Sequence, residues 1–270
     1  MVMKQVLQKE ELRRIAMPSG NSSHVILPKE WEGYEVILTR VETDPKKDIL
    51  DALEPYFSDI IGVYLYGSHA RKEHGKESDI DVMVITNKKL DIEVKKPFDV
   101  TQVVKDKLER FKEINPVLFY SFLFEAEPIM NSSFLEDLRR KELGKFKSAF
   151  NEYLKDTTSA LKINKGLLDI SKSRSEEYAD GNLIYSLILR LRGMYIIETM
   201  LNKERFSNES FMKFLKEKLN VEPQEYYAIY RAIRDEKRPK NNISIEDTRR
   251  LLNLLEELLN DIRLKLKHDK

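Results

Sequence analysis

Apolar residues are arranged differently along the two halves of this chain. Up to about residue 132 they come in short runs bounded by polar or turn-forming residues. Beyond residue 133 they recur every three or four positions. Short runs suit strands buried in a sheet, and the three-to-four spacing suits helices with one apolar face. Residues 61–66 (IGVYLY) and 80–86 (IDVMVIT) are predicted as buried strands, and so is the almost wholly apolar run 117–124 (VLFYSFLF), followed by a short strand at 127–130. Residues 47–57 carry Ile49, Leu50, Leu53 and Phe57 at helical spacing. Residues 99–113 are also predicted as a helix, with Asp99 and Gln102 as a capping box. Near the N-terminus, residues 24–27 (HVIL, closed by Pro28) and 34–38 (YEVIL) predict two short strands around a Pro/Gly-marked loop. A piece that small buries little apolar surface alone, so it should lean on the next domain or on a second copy of itself.

The Leu-rich segments near 134–172, 176–202, 208–219, 223–235 and 244–267 predict an antiparallel bundle. Asn208 and Ser244, the latter three residues before Asp247, mark helix starts. Leu251, Leu252, Leu254, Leu255, Leu258, Leu259 and Ile262 form the apolar stripe of the last helix. The expected organisation is a β-rich module over 1–44, a mixed α/β domain over 45–132 and a helical bundle over 133–270.

Composition narrows the function classes. The 47 basic and 46 acidic residues nearly cancel, leaving a net charge of +1 and no global basic field for nucleic acid. The absence of cysteine rules out disulfides and thiolate zinc sites, and four histidines make a His-rich metal site a poor expectation. No run reaches the roughly 18 apolar residues that suggest a membrane span, and residues 1–16 lack the apolar centre of a signal peptide. A cytoplasmic protein without membrane contact is expected.

The densest chemistry lies in GSHARKEHGKESDID, residues 67–81. Gly67 allows a sharp turn after the strand and close backbone approach. Ser68 adds a hydroxyl, and free N–H groups at a helix start beyond it suit a phosphate. On a strand, Asp79 and Asp81 share a face while Ile80 points into the core. Two like carboxylates side by side call for a cation, and hard oxygen ligands suit Mg²⁺ with phosphate oxygens completing its shell.

This stretch resembles the signature of the DNA polymerase beta nucleotidyltransferase superfamily: GS-x-AR-G, a short gap, then SDID. In particular it is similar to the minimal and kanamycin-type enzymes, over roughly residues 47–131. The resemblance implies an α+β fold, with a small mixed-sheet nucleotidyltransferase domain followed by a helical bundle. It implies Mg²⁺ (or Mn²⁺) as cofactor and an NTP such as ATP as donor, with a nucleoside monophosphate passing to an acceptor hydroxyl and pyrophosphate released. Gly67 and Ser68 would hold the triphosphate, with Arg71 and Ser78 alongside, and Asp79 and Asp81 would be the catalytic metal ligands. Two departures stand out. Lys72 occupies the place of the family's glycine after Ala-Arg. The family's third carboxylate is missing from the strand read at 117–124, which leaves Glu125 and Glu127 at its end as candidates. Asp99 is read as a helix cap. His69 stands in the variable position of the motif.

The flanks carry their own resemblances. Residues 19–38 (SGNSSHVILPKEWEGYEVIL) look like half of a swapped-hairpin, AbrB-like module. That implies a homodimer, and DNA contact through Lys4, Arg13, Arg14 and Lys29, charges equally readable as a solvated face. The bundle resembles the acceptor-binding domain of kanamycin-type enzymes and has HEPN character, but no histidine follows Arg234 at the nuclease spacing, so RNase activity is not expected. Tyr226, Tyr227 and Tyr230 with Arg231 and Arg234 are candidates for an acceptor pocket or for core. Arg190 and Arg192, in a very apolar helix, need partners, either carboxylates or ligand phosphates. Three functions fit: a nucleotidyltransferase with an unidentified acceptor, a catalytically degenerate nucleotide- or DNA-binding regulator, and an antitoxin-type transferase that modifies a protein.

Overall fold

The computed structural model describes residues 12, 14, 16–39, 44–75 and 78–268. The chain divides into two units, residues 1–43 and 44–270.

In the first unit, strands β1 (Met17–Ser19) and β2 (Ser22–His24) pair antiparallel around Gly20 and Asn21. These lie before the runs expected to be strands. Residues 25–28 and 34–38 are not in strands, because no described strand of the unit pairs with them. None of the unit's described residues is buried; Ile26 is 69% exposed and Ile37 89%. Lys4 and Arg13 lie outside the described residues.

The second unit begins with helix α1 (Pro45–Leu53), capped by the Asp44 side chain on the Lys46 N–H. Strand β3 (Ile60–Leu65), the four-residue helix α2 (Gly67–Ala70), and strands β4 (Ile80–Thr86) and β5 (Phe98–Val104) follow. Then come helices α3 (Leu108–Ile114) and α4 (Pro116–Glu125) and strand β6 (Glu127–Met130). The sheet order is β5-β4-β3-β6. The β4–β5 pair is parallel and the other two are antiparallel.

Two sequence readings are corrected here. Residues 98–104 form a strand where a helix was expected. Val100, Thr101, Val103 and Val104 are β-branched, and their fit to a pleated surface outweighs the cap signal of Asp99 and Gln102. Residues 117–124 are helix α4, not a strand. A run apolar on all sides is ambiguous by period. Here Pro116 starts the helix, and Phe119, Tyr120, Phe122 and Leu123 are all buried between the sheet and the bundle.

The two faces of the sheet have separate cores. Val63, Leu65, Ile80, Val82 and Val84 pack with Ile49 and Leu53 of α1. Tyr64, Tyr66, Met83, Ile85 and Val103 join the larger core of α4 and the bundle. Residues of opposite parity on each strand thus face opposite ways, as the pleat requires.

The bundle comprises α5 (Ser132–Glu142), α6 (Phe146–Ser173), α7 (Gly181–Leu201), α8 (Asn208–Leu219), α9 (Gln224–Arg234) and α10 (Ile245–His268). The first Leu-rich segment divides into α5 and α6. Ser207 caps α8, and the Ser244 hydroxyl accepts from the Asp247 N–H at the start of α10. The stripe from Leu251 to Ile262 is buried throughout. No described helix is long and apolar enough to cross a membrane.

Candidate active site

The site forms where β3 ends. The Tyr66 N–H donates to the Asp81 carbonyl at 3.0 Å, which ties the strand end to β4. Gly67 then turns with φ +71°, a conformation that strains any residue with a side chain. A Cβ at Gly67 would also overlap the Asp81 carboxylate. Both the turn and the close approach therefore require glycine. Ser68 is the second residue of α2, and its carbonyl accepts from the Glu73 N–H at 2.9 Å. Lys72, in the family's glycine position, has φ +61°, so the backbone there keeps the left-handed bend with a lysine.

Asp79 is exposed just ahead of β4 rather than on the strand with Asp81, and Asp81 is the second residue of β4. Residue parity places Asp81 on the Met83 and Ile85 face, toward α4 and the bundle. In the parallel β4–β5 register, Asp81 stands directly beside Asp99. Phe98 and Val100 pack on the α1 side, so Asp99 shares the face of Asp81. Burial, followed by the negative charge of Asp99, pushes the Asp81 carboxyl up to about 6; Glu125 and Asp79 add to this, and Arg71 pulls the other way. Behind the acids, the Tyr66 hydroxyl lies 3.0 Å from the Thr101 hydroxyl on β5. Burial raises the Tyr66 hydroxyl to about 12, so it stays protonated.

The two glutamates offered as the third acid lie on different faces of the sheet. Glu127 pairs with Leu65 in the β3–β6 register and bonds Lys46 of α1 at 3.3 Å, on the opposite face of the sheet. Glu125 is on the correct side, but its carboxylate is engaged. It accepts from the Gly67 N–H at 2.9 Å and from Arg71 Nη1 at 2.6 Å. Arg139 of α5 fixes this end of α4 by donating to the carbonyls of Leu123 and Ala126, both at 2.7 Å. The acid that sequence reasoning passed over is Asp99. Its signal was the β-branched run that follows it.

The loop between the turn and β4 is internally bonded. Ser78 Oγ accepts from the Gly75 N–H at 2.9 Å. The His69 and His74 rings stack 4.0 Å apart, and His69 Nε2 lies 3.4 Å from the Ser78 carbonyl. Burial lowers the His69 pKa, which favours the neutral ring.

On the bundle side, Arg190 and Arg192 find aromatic partners: Arg190 over Tyr153 at 5.4 Å and Arg192 over Phe206 at 4.9 Å. Tyr226 and Tyr230 are buried core residues, and Tyr230 stacks on Tyr185.

A mixed sheet thus holds a glycine turn against Asp81, with Asp99 beside it on the same face. Residues 47–133 match the family described as Polymerase beta, Nucleotidyltransferase. This segment is a polymerase beta-type nucleotidyltransferase domain. No curated protein matches the chain in sequence. Two solved structures are similar at low identity. One is the spectinomycin adenyltransferase of Enterococcus faecialis, solved with ATP and spectinomycin: 14% identity, 80% of this chain and 97% of that chain covered, TM-score 0.40. The other is a nucleotidyltransferase-like protein from Exiguobacterium sibiricum: 12% identity, 80% and 76% covered, TM-score 0.37. At these values neither likeness informs substrate or mechanism.

Proposed function

We propose that the protein transfers a nucleoside monophosphate from an NTP to an acceptor hydroxyl, releasing pyrophosphate, with Asp79, Asp81 and Asp99 as its catalytic carboxylates. The observation that carries this is the parallel β4–β5 register, which sets Asp99 beside Asp81 under the Gly67 turn. The donor set suits a hard divalent cation: carboxylate oxygens only, with the proton affinity of Asp81 raised by burial and by the acids beside it. Among the described residues, no group of three or more His, Asp or Glu side chains is already gathered as a metal site. Mg²⁺ or Mn²⁺, held by Asp79, Asp81 and Asp99, would supply the positive charge that offsets the triphosphate and acidifies the hydroxyl.

The chain's own groups then have distinct tasks. Gly67, lacking a side chain, lets the triphosphate approach the backbone, and the Ser68 hydroxyl and N–H face it from α2. Ser78 holds the loop that brings Asp79 to β4. Asp99, the most exposed of the strand acids, receives the acceptor proton as the new O–P bond forms at the α-phosphorus and the bond to the pyrophosphate oxygen breaks.

The N-terminal unit fits pairing with a second copy. Ile26, Tyr34, Ile37 and Leu38 are exposed in a unit where no described residue is buried. Large exposed apolar side chains grouped in so short a segment suit an interaction surface.

The deciding experiment incubates the protein with each labelled NTP, Mg²⁺ and panels of RNA, protein and small-molecule acceptors. Label transfer that is lost in both Asp81→Ala and Asp99→Ala is expected. Transfer that survives Asp99→Ala would remove that residue from the chemistry. Salt-sensitive duplex binding without any transfer would favour a regulator.

A further inference from the structure

Arg71 is the residue that the motif offers to the triphosphate, but its surroundings are acidic. Its guanidinium donates through Nη1 to Glu125 at 2.6 Å and through Nε to Glu73 at 3.0 Å. The Arg71 and Glu125 side chains are 9% and 12% exposed. Burial alone would favour the neutral guanidine, but the two carboxylates outweigh it and hold Arg71 charged. One positive charge between two negative ones leaves the cluster net negative, and an incoming triphosphate would have to displace buried, charge-assisted bonds to reach it.

The two carboxylates are not idle partners. Glu125 spends its other oxygen on the Gly67 N–H, the first amide of the turn. Glu73 Oε2 also accepts from the Asn208 N–H of the bundle at 3.2 Å. Asn208 Oδ1 in turn accepts from the Tyr227 hydroxyl at 3.4 Å. Arg71 lies 5.2 Å from the Phe206 ring centroid, just before α8, and Arg192 of α7 lies over the same ring. A continuous chain of contacts thus runs from Gly67 through Glu125, Arg71 and Glu73 to the start of α8.

We infer that Glu125, Arg71 and Glu73 form a brace in which Arg71 is a positioning residue, not a phosphate ligand: it holds the Gly67 turn in shape through Glu125 and links that shape to the bundle through Glu73 and Phe206. The inference deepens the transferase reading, since the braced turn is the one assigned to the triphosphate.

The test uses the full-length protein and Arg71→Met, Glu125→Gln and the double variant, with Arg71→Lys as the conservative control. Amide exchange at Gly67, measured without nucleotide, should rise about tenfold in each single variant. The KM for the NTP should rise several-fold while kcat changes less. The double variant should match the worse single within about twofold, because both substitutions break one unit. Arg71→Lys keeps a charge between the two acids and should recover part of the Gly67 protection. Multiplicative KM losses in the double variant would overturn the brace, as would a raised KM in Arg71→Met with wild-type exchange at Gly67. If no NTP is turned over by the wild type, the transferase reading fails, and the exchange measurement still decides the brace.

Discussion

The two faces of β4 receive alternate residues from the same seven-residue strand and do opposite things. Ile80, Val82 and Val84 enter an apolar core against Ile49 and Leu53 of α1. One residue out of phase, Asp81, Met83 and Ile85 face α4 and the bundle, and the first of these is a carboxylate pressed against Gly67 and beside Asp99. The α1 face supplies stability and holds the strand still. The bundle face gives up apolar burial at the N-terminal end of β4 to keep charges there. Glu125 ends helix α4, whereas Glu127 opens β6 opposite Leu65, so the pleat sets Glu127 on the α1 face.

The largest effect should come from the charged face. Asp81→Ala and Asp99→Ala should each lower kcat by about 10³-fold or more, a loss comparable to removal of a principal electrostatic group. Steady-state label transfer would check this, provided the variants melt cooperatively. Breaking the opposite face should do the reverse. Leu53→Ala, at a fully buried position, should cost about 2–5 kcal/mol of stability. Its kcat at a temperature where it remains folded should stay within a few-fold of wild type.

Asp81→Asn sharpens the comparison through pH. The Asp81 carboxyl is raised to about 6 in the folded protein, so its stabilising, protonated form is complete below the unfolded value near 4 and is lost as pH rises through 6. Without divalent cation, the asparagine variant should be more stable than wild type at pH 8, by on the order of 1–2 kcal/mol after allowance for partial exposure. That gap should close as the pH falls to about 4. Added Mg²⁺ should stabilise the wild type and leave the variant unmoved. The smallest effect belongs to Glu127→Gln. Its exposed pair with Lys46 is worth under about 1 kcal/mol, and activity should not change. A large activity loss there would reverse the assignment of faces.

Much of this was legible in the residues. The GS turn, the SDID strand, the strand β3 before it and the short strand at 127–130 fell where the pattern put them, because glycine, alternating parity and β-branched runs act locally. The Leu stripe of α10 was read correctly for the same reason. Asp99 was missed because two local signals competed: a cap pattern spaced for a helix and a β-branched run suited to a strand. Only pairing with β4 decides between them. Residues 117–124 were misread because a segment buried on every side carries no period at all. The engagement of Arg71 by two acids was also out of reach, since Glu73, Glu125 and Asn208 meet only after the chain has folded.

Asp99 lies on β5, one of the two edge strands of the sheet. A border strand has hydrogen bonds on one side only, and it opens at lower cost than the strands inside it. The proposed carboxylate set therefore spans a seam between a strand held on both sides and one at the sheet's edge. A brief excursion of β5 would disassemble the carboxylate set while the bundle and the α1 core stayed intact. Heat should then silence the enzyme below its melting temperature, and the silence should reverse on cooling.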